Sequence, residues 1–214
     1  IELEEAFIGF SLSGLRSRSL EKTISFGWHG LSGTEEQQKE NNTLPTTASF
    51  VFKLEKLPLN ALNRLVRQIS NSEANKNNIA QIAMMNAMMS LPTQLSRAGT
   101  KISIKDTMFK NPNYRLNFDG YVQANEDSII GANGELTIKA LGLSNLISIL
   151  EQSAENLPVD RQISTSSFLT HLKKFEQVAT PAPEGGDVQM VYITLDNEGR
   201  ALINGQDIKS AIMQ

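Results

Sequence analysis

The two histidines are the first residues to test for catalytic or metal-binding chemistry. His29 follows Trp28 at the end of a strand-like segment, and His171 lies between Leu169 and Leu172 in a helix-like segment. Neither histidine belongs to an H-E-x-x-H pattern or to a facial triad with a nearby carboxylate. The chain contains no cysteine, which excludes a disulfide and a thiolate nucleophile or metal ligand. The sequence therefore predicts no metal site.

Two short motifs only partly match known catalytic or ion-binding patterns. Residues 9–14 approach the G-x-S-x-G nucleophile elbow but lie within a predicted strand. Residues 196–199, Asp-Asn-Glu-Gly, resemble part of a calcium loop without its other ligands, so we interpret them as a hairpin turn. No glycine-rich phosphate loop is present. We therefore expect a non-enzymatic protein with no catalytic residue and no cofactor.

A cluster of methionines is the most unusual feature of the composition. Flexible thioethers suit adaptable apolar surfaces, and residues four apart share one side of a helix. Two arginines on the preceding helix could place their charges at the mouth of the same groove. The sequence therefore predicts a site for an anionic amphiphile made of Arg64, Arg67, Ile82, Met85 and Met89. The alternative is that the methionines only pack a helix onto a sheet.

Charge is unevenly distributed along a chain whose net charge is -3. Residues 59–118 hold 8 basic and 2 acidic side chains, whereas residues 119–214 hold 6 basic and 13 acidic ones. A basic segment of this kind favours contact with anionic lipid headgroups or an acidic partner. The alternative is that the two segments complement each other or are solvated. Nucleic acid is not an expected partner, because the overall charge is negative and the basic segment has few aromatic residues.

Apolar periodicity predicts the elements that would position these residues. A turn is expected near Ser17, a polar loop covers residues 33–47, and Pro92 is expected to end the second helix. Strands are predicted within residues 3–14, 20–28, 48–57, 102–104, 114–118, 136–138, 187–195 and 201–204, with a further one at Val122. Helices are predicted within residues 59–69, 79–91, 143–150 and 163–175.

An internal repeat aligns residues 52–68 with residues 136–152, at an offset of 84 positions. Leu57, Leu59, Leu62 and Gln68 are identical to their counterparts, and the other apolar positions match in kind. We interpret residues 48–125 and 132–206 as two β-α-α-β units, which predicts that Leu62 superposes on Leu146. The alternative is that any strand followed by a helix would align in this way.

These elements predict an α+β fold in which a curved antiparallel sheet carries about four helices on one face. The 214 residues and 40% hydrophobic content are ordinary for a globular domain, and we assign residues 1–214 to a single domain. Because the first residues are strand-like and do not include an initiating Met, we interpret the chain as a fragment of a longer protein. A signal or anchor would then lie upstream, and no span is expected within the chain.

Glycine-punctuated strands give the chain a family resemblance. The segments that carry it are Leu95–Ile104, Tyr114–Gln123, Gly131–Ile138, Leu146–Leu150 and Leu195–Gly205. Over about residues 90–214 the chain is similar to an alphaproteobacterial envelope family, domain of unknown function twenty-one twenty-five, which is grouped with AsmA-like proteins. A membrane-anchored bacterial family, number nine forty-five, has a similar rhythm. The first resemblance implies long curved sheets and an anchored or exported protein in the periplasm or cell envelope.

The combined expectation is a non-enzymatic envelope protein with an apolar groove between sheet and helices. Its partners would be anionic lipid or another envelope protein. The alternative is a structural or protein-interaction module with a filled core. An unsealed sheet face would favour the first hypothesis, with the face lined by Phe50, Phe52, Leu54, Leu136 and Ile138.

Overall fold

The computed structural model describes residues 3–14, 19–32, 44–74, 78–154 and 159–208. The turn expected near Ser17 and residues 33–43 of the expected polar loop lie outside the described residues. Within the described part of that expected loop, only its last residue, Thr47, belongs to a strand, of which it is the first residue.

The described residues form one curved, antiparallel sheet of ten strands that is not closed into a barrel. Its order is β1-β2-β3-β4-β5-β6-β8-β9-β10, with β7 paired to β8 off this path. The strands are β1 Glu5–Ser13, β2 Ser19–His29, β3 Thr47–Pro58, β4 Lys101–Lys110, β5 Arg115–Ala124, β6 Ala132–Leu141, β7 Thr180–Pro181, β8 Val188–Leu195, β9 Ala201–Ile203 and β10 Gln206–Asp207. The predicted α+β class and antiparallel sheet are confirmed.

Four helices occur in the described part of the chain, as two consecutive pairs. They are α1 Leu59–Ala74, α2 Asn78–Ala98, α3 Leu143–Ala154 and α4 Val159–Val178. The first pair separates the neighbouring strands β3 and β4, and the second pair lies between the neighbouring strands β6 and β8. The described residues thus form two β-α-α-β units, and α1 and α3 begin 84 positions apart, at the offset of the sequence repeat.

Helix α2 passes through Pro92, so the prediction that this proline ends the helix is wrong. A proline inside a helix removes one backbone hydrogen bond and crowds the preceding turn. Here the Pro92 side chain is exposed. Side-chain bonds support the same turn, because the Ser90 hydroxyl donates to the Ala87 carbonyl at 3.0 Å and Gln94 donates to Ser90 Oγ at 2.9 Å. The helix continues to Ala98, where Gly99 adopts a left-handed φ of 67°.

Strand register places the predicted apolar residues on one face of the sheet. Phe52 pairs with Ile104, Ile104 with Gly120, and Gly120 with Leu136, so these positions form one transverse row. Because side chains alternate between faces along a strand, Phe50, Leu54 and Ile138 share the same face. We call this side of the sheet the apolar face.

The second helix pair packs on the apolar face and forms the main core. From α3 the buried side chains are Leu143, Leu146, Ile147 and Leu150. They contact Tyr114, Ala140 and Leu169, with Phe109, Leu116, Leu172 and Phe175 packed around them. The two helices are also joined by the Lys173–Glu151 ion pair at 2.6 Å and by a hydrogen bond from Ser144 to Glu176 at 2.7 Å. These contacts fix the second pair over strands β4 to β6.

Candidate functional site: an apolar cleft beside the second helix pair

An open cleft of about 540 Å³ lies between the sheet and helices α3 and α4. This volume falls within the range of small-molecule binding sites. The sheet contributes Phe109, Leu116, Phe118 and Ile138, and α3 contributes Leu143, Leu146 and Leu150. Helix α4 contributes Phe168, His171, Leu172 and Phe175, while Tyr114 and Pro45 complete the lining. The core therefore does not fill the space between these helices and the sheet.

The turn between β4 and β5 places Tyr114 in the cleft wall. Asn111 is buried, and its side-chain oxygen accepts hydrogen bonds from the backbone N–H groups of Asn113 at 2.8 Å and Tyr114 at 3.0 Å. Such local bonds are what an asparagine supplies in a tight turn. Burial raises the pKa of the Tyr114 phenol to about 12. The phenol is thus neutral across the physiological pH range and adds no charge to the cleft.

Helix α4 forms the accessible side of the cleft. Phe168 is 50% exposed although it lines the cavity. His171 is also exposed, and its Nδ1 lies 2.6 Å from the Ser167 carbonyl oxygen, one turn earlier. Among the described residues that line the cleft, Tyr114 and His171 are the two with polar side-chain atoms. The site is therefore suited to an apolar chain with few polar contacts.

A row of aromatic rings continues the cleft floor across the apolar face. The ring centroids of Phe118 and Phe109 are 5.8 Å apart, those of Phe109 and Phe50 are 4.8 Å apart, and those of Phe50 and Phe26 are 4.5 Å apart. Distances of this size are typical of stabilising edge-to-face and stacked pairs. Phe26 and Phe52 are partly exposed at the far end of the row. The apolar surface thus extends beyond the space that α3 and α4 cover.

The predicted methionine and arginine residues lie elsewhere. Arg64, Arg67, Ile82, Met85 and Met89 are all exposed on α1 and α2, and none of them lines the cleft. Met89 is 72% exposed, so these side chains are not packed onto a sheet.

Small residues explain how the first pair packs without burying that surface. Ala61 of α1 and Ala87 of α2 are buried, and α1 and α2 contact each other. Helix α2 contacts β3 and β5, and near its end Ser96 Oγ accepts a hydrogen bond at 2.7 Å from the N–H of Glu126, which lies in the loop between β5 and β6. The exposed apolar side chains therefore lie on the outer surfaces of the helices.

Neither histidine lies in a metal-binding cluster. His29 Nε2 is 3.9 Å from a Glu4 carboxylate oxygen, and His29 Nδ1 is 3.0 Å from the Thr47 hydroxyl. In the described ranges there is no group of three or more His, Asp or Glu residues that could hold a metal ion. No helix in this part of the protein is both long and apolar enough to cross a membrane.

Sequence reasoning missed most of the cleft because its lining comes from residues far apart in the chain. Ile138 was predicted to lie on the apolar face, and His171 was considered only as a member of a catalytic or metal-binding pattern. The signal that could have located the cleft is the set of apolar residues on α3 together with those on the paired strands β5 and β6. Comparisons of the chain with protein-family models, with curated proteins and with solved structures give no match.

Proposed function

We propose that this protein is a non-enzymatic binding protein of the cell envelope whose apolar cleft holds the hydrocarbon chain of an amphiphile. The observation that carries the proposal is the open 540 Å³ cleft, lined almost entirely by apolar side chains. Each methylene group removed from water contributes about 0.8 kcal/mol. The location in the periplasm or envelope follows from the family resemblance named above and is part of the proposal.

The cleft offers a clearer site than the methionine surface. A hydrocarbon chain in the cleft contacts sheet and helices on several sides, whereas exposed Met85 and Met89 present only one surface. The arginines Arg64 and Arg67 keep a separate role in the proposal, since they could attract the protein to anionic lipid. Such an attraction contributes about 1 kcal/mol per basic residue near the surface.

The binding test uses cis-parinaric acid, a fatty acid whose fluorescence rises when it leaves water. We expect the protein to bind it and palmitic acid to displace it. Phe168→Glu should weaken binding about tenfold, or about 1.4 kcal/mol, because it places a charge beside the apolar wall. Ile129→Glu is the matched control, since Ile129 is 80% exposed and does not line the cleft.

A second assay separates the cleft from the methionine and arginine surface. Arg64→Glu combined with Arg67→Glu should reduce flotation with anionic liposomes, and added salt should do the same. The double variant should still bind cis-parinaric acid. If wild-type protein binds no fatty acid, or if Phe168→Glu and Ile129→Glu bind equally well, the cleft is not an amphiphile site.

A structural or protein-interaction module is the second candidate function. Exposed apolar side chains on β1 favour it, with Ile8 72% and Phe10 71% exposed on an edge strand. This hypothesis also includes a filled core, and the open cleft is inconsistent with that part of it. A protein of this second kind would leave cis-parinaric acid unbound and would form a defined complex in sedimentation analysis.

A further inference from the structure

The face of the sheet opposite the cleft carries a polar surface of its own. Ser103 pairs with Tyr121, and Tyr121 pairs with Glu135, so their side chains form a row on this face. Two hollows of about 210 Å³ and 390 Å³ lie along this row and share Tyr121 and Glu135 in their linings. We call this surface the polar face.

Glu135 is the central anionic group of the polar face. The phenol of Tyr192 donates a hydrogen bond to its carboxylate, and the phenol of Tyr121 forms a second one. These two hydrogen bonds lower the pKa of Glu135, so it remains ionised. An ionised carboxylate accepts hydrogen bonds only. Glu135 can therefore accept from a ligand hydroxyl, while the two phenols hold it in place.

Two lysines give the smaller hollow positive charge. Lys101 and Lys105 both line it, and Lys101 Nζ lies 3.7 Å from the centroid of the Tyr121 ring. Neither lysine forms an ion pair with a carboxylate within the described part of the chain. Asp119 lines the same hollow, but its Oδ1 accepts a hydrogen bond from the Asp106 N–H at 3.2 Å. Both ammonium groups lie close enough to Glu55 to lower its pKa, but neither is in an ion pair with a carboxylate of the described residues, so both can pair with an anionic ligand group.

Ser103 provides independent evidence that the smaller hollow lacks a polar group that would complete its hydrogen bonds. It is 1% exposed, it lines the smaller hollow, and its hydroxyl oxygen has no hydrogen-bond partner. A buried hydroxyl without a partner destabilises the folded protein, because it has lost its hydrogen bonds to water. Proteins seldom keep such a group without a compensating role. A polar ligand atom in the hollow would satisfy it.

We propose that the polar face binds an acidic saccharide, with its carboxylate against Lys101 and Lys105 and its hydroxyls against Glu135 and Ser103. A phosphate would concentrate up to two negative charges on one group beside Glu135 and Asp119, whereas an acidic sugar unit carries a single carboxylate and offers neutral hydroxyls from which these two residues can accept hydrogen bonds. The larger hollow continues the site past Asn133 and Thr194, whose side chains can bond to the hydroxyls of a second sugar unit, and its carboxylates Asp196 and Glu198 are both paired with Arg200. This site is separate from the cleft and does not depend on the proposed amphiphile function.

Isothermal titration calorimetry with trigalacturonic acid tests the proposal. We expect the wild-type protein to bind this acidic sugar at least tenfold more tightly than the neutral sugar galactotriose. Lys101→Met combined with Lys105→Gln should weaken binding at least tenfold, and added salt should weaken it in the wild type. Lys174→Gln is the matched control, because Lys174 is an exposed lysine on α4 that lines neither hollow.

Ser103→Ala gives a second test that does not depend on charge. The substitution removes a buried hydroxyl without a partner, so the free protein should melt at the same temperature as wild type or higher. Binding of trigalacturonic acid should nevertheless weaken several-fold. The proposal is overturned if trigalacturonic acid does not bind, if galactotriose binds equally well, or if Ser103→Ala and the lysine double variant bind like wild type. Phe168→Glu should retain saccharide binding, which separates this result from failure of the cleft hypothesis.

Discussion

The two β-α-α-β units share a topology but use their helices differently. Helices α3 and α4 cover part of the apolar face and form one wall of the open cleft, whereas α1 and α2 expose much of their apolar surface. Equivalent positions show the difference, since Ile147 is buried and the residue at its repeat position is the exposed Asn63. Leu150 is 9% exposed, and its counterpart Val66 is 60% exposed. The apolar stripe of α1 is thus interrupted at Asn63, where that of α3 continues with a buried isoleucine.

The two units also differ in the direction of their strands. Strands β3 and β6 are antiparallel to each other, because three successive antiparallel pairings lie between them. Helices α1 and α3 follow these strands directly. They therefore start at opposite edges of the sheet, measured along the strand direction. Similar sequences thus enter different surroundings, and only the second pair meets the main core.

The largest expected effect comes from truncating equivalent helix positions. Leu150→Ala should lower the free energy of unfolding by about 2–5 kcal/mol, because it leaves a cavity in the core beneath α3. Val66→Ala, at the matching position of α1, should change it by less than about 0.5 kcal/mol. Urea titration of both variants measures this difference. Equal losses would show that the two helix pairs are buried alike.

The residue between strand and helix gives the second comparison. Gly142 precedes α3 with a φ of 69°, and an added Cβ would lie 2.3 Å from the Asn113 carbonyl oxygen. Gly142→Ala should therefore destabilise the protein by about 1–3 kcal/mol. Pro58 occupies the equivalent position before α1, where Pro58→Ala should cost less than about 1 kcal/mol. Thermal melting of the pair checks this, and a neutral Gly142→Ala would contradict the close approach at this junction.

Two tyrosines allow a finer comparison, between the two faces of the sheet. The pKa of Tyr114 in the cleft wall and that of Tyr192 on the polar face are both raised to about 12, by burial and by the Glu135 carboxylate respectively. Glu135→Gln should return the pKa of Tyr192 towards 10 and leave that of Tyr114 high. Ultraviolet absorbance titration of the phenolates measures both. A change in neither tyrosine would exclude the carboxylate as the cause.

The raised pKa of Tyr114 also sets a pH dependence of stability. The unfolded chain loses this phenol proton near pH 10, whereas the folded protein keeps it to about pH 12. The contribution to stability is thus complete below pH 10 and is lost as pH rises to 12. Tyr114→Phe should make the free energy of unfolding fall less steeply in that interval. An unchanged slope in urea titrations across this range would contradict this assignment.

The local pattern of the sequence predicted the fold better than it predicted the candidate site. Alternation from Phe50 to Leu54 and helical spacing from Leu143 to Leu150 each define an element and the side that can be apolar. Periodicity identified the stripe containing Met85, but it carries no information on whether another element covers that stripe. The cleft depends on register across β4 to β6 and on the position of α4, which arise only when distant segments pack. The continuation of α2 through Pro92 was missed for a related reason. The local pattern shows the proline, but it does not show that the side chains of Ser90 and Gln94 support the turn with hydrogen bonds.

Trp28, which is hydrogen-bonded to Pro45, is an intrinsic fluorescent probe of the cleft. The chain has one tryptophan, so its emission reports a single environment. The Trp28 indole N–H donates to the Pro45 carbonyl at 3.1 Å, and its ring centroid lies 6.4 Å from that of Phe50. Pro45 itself lines the cleft. A molecule that displaces Pro45 alters the polarity around the indole, so the wavelength of its fluorescence follows occupation of the cleft without a label.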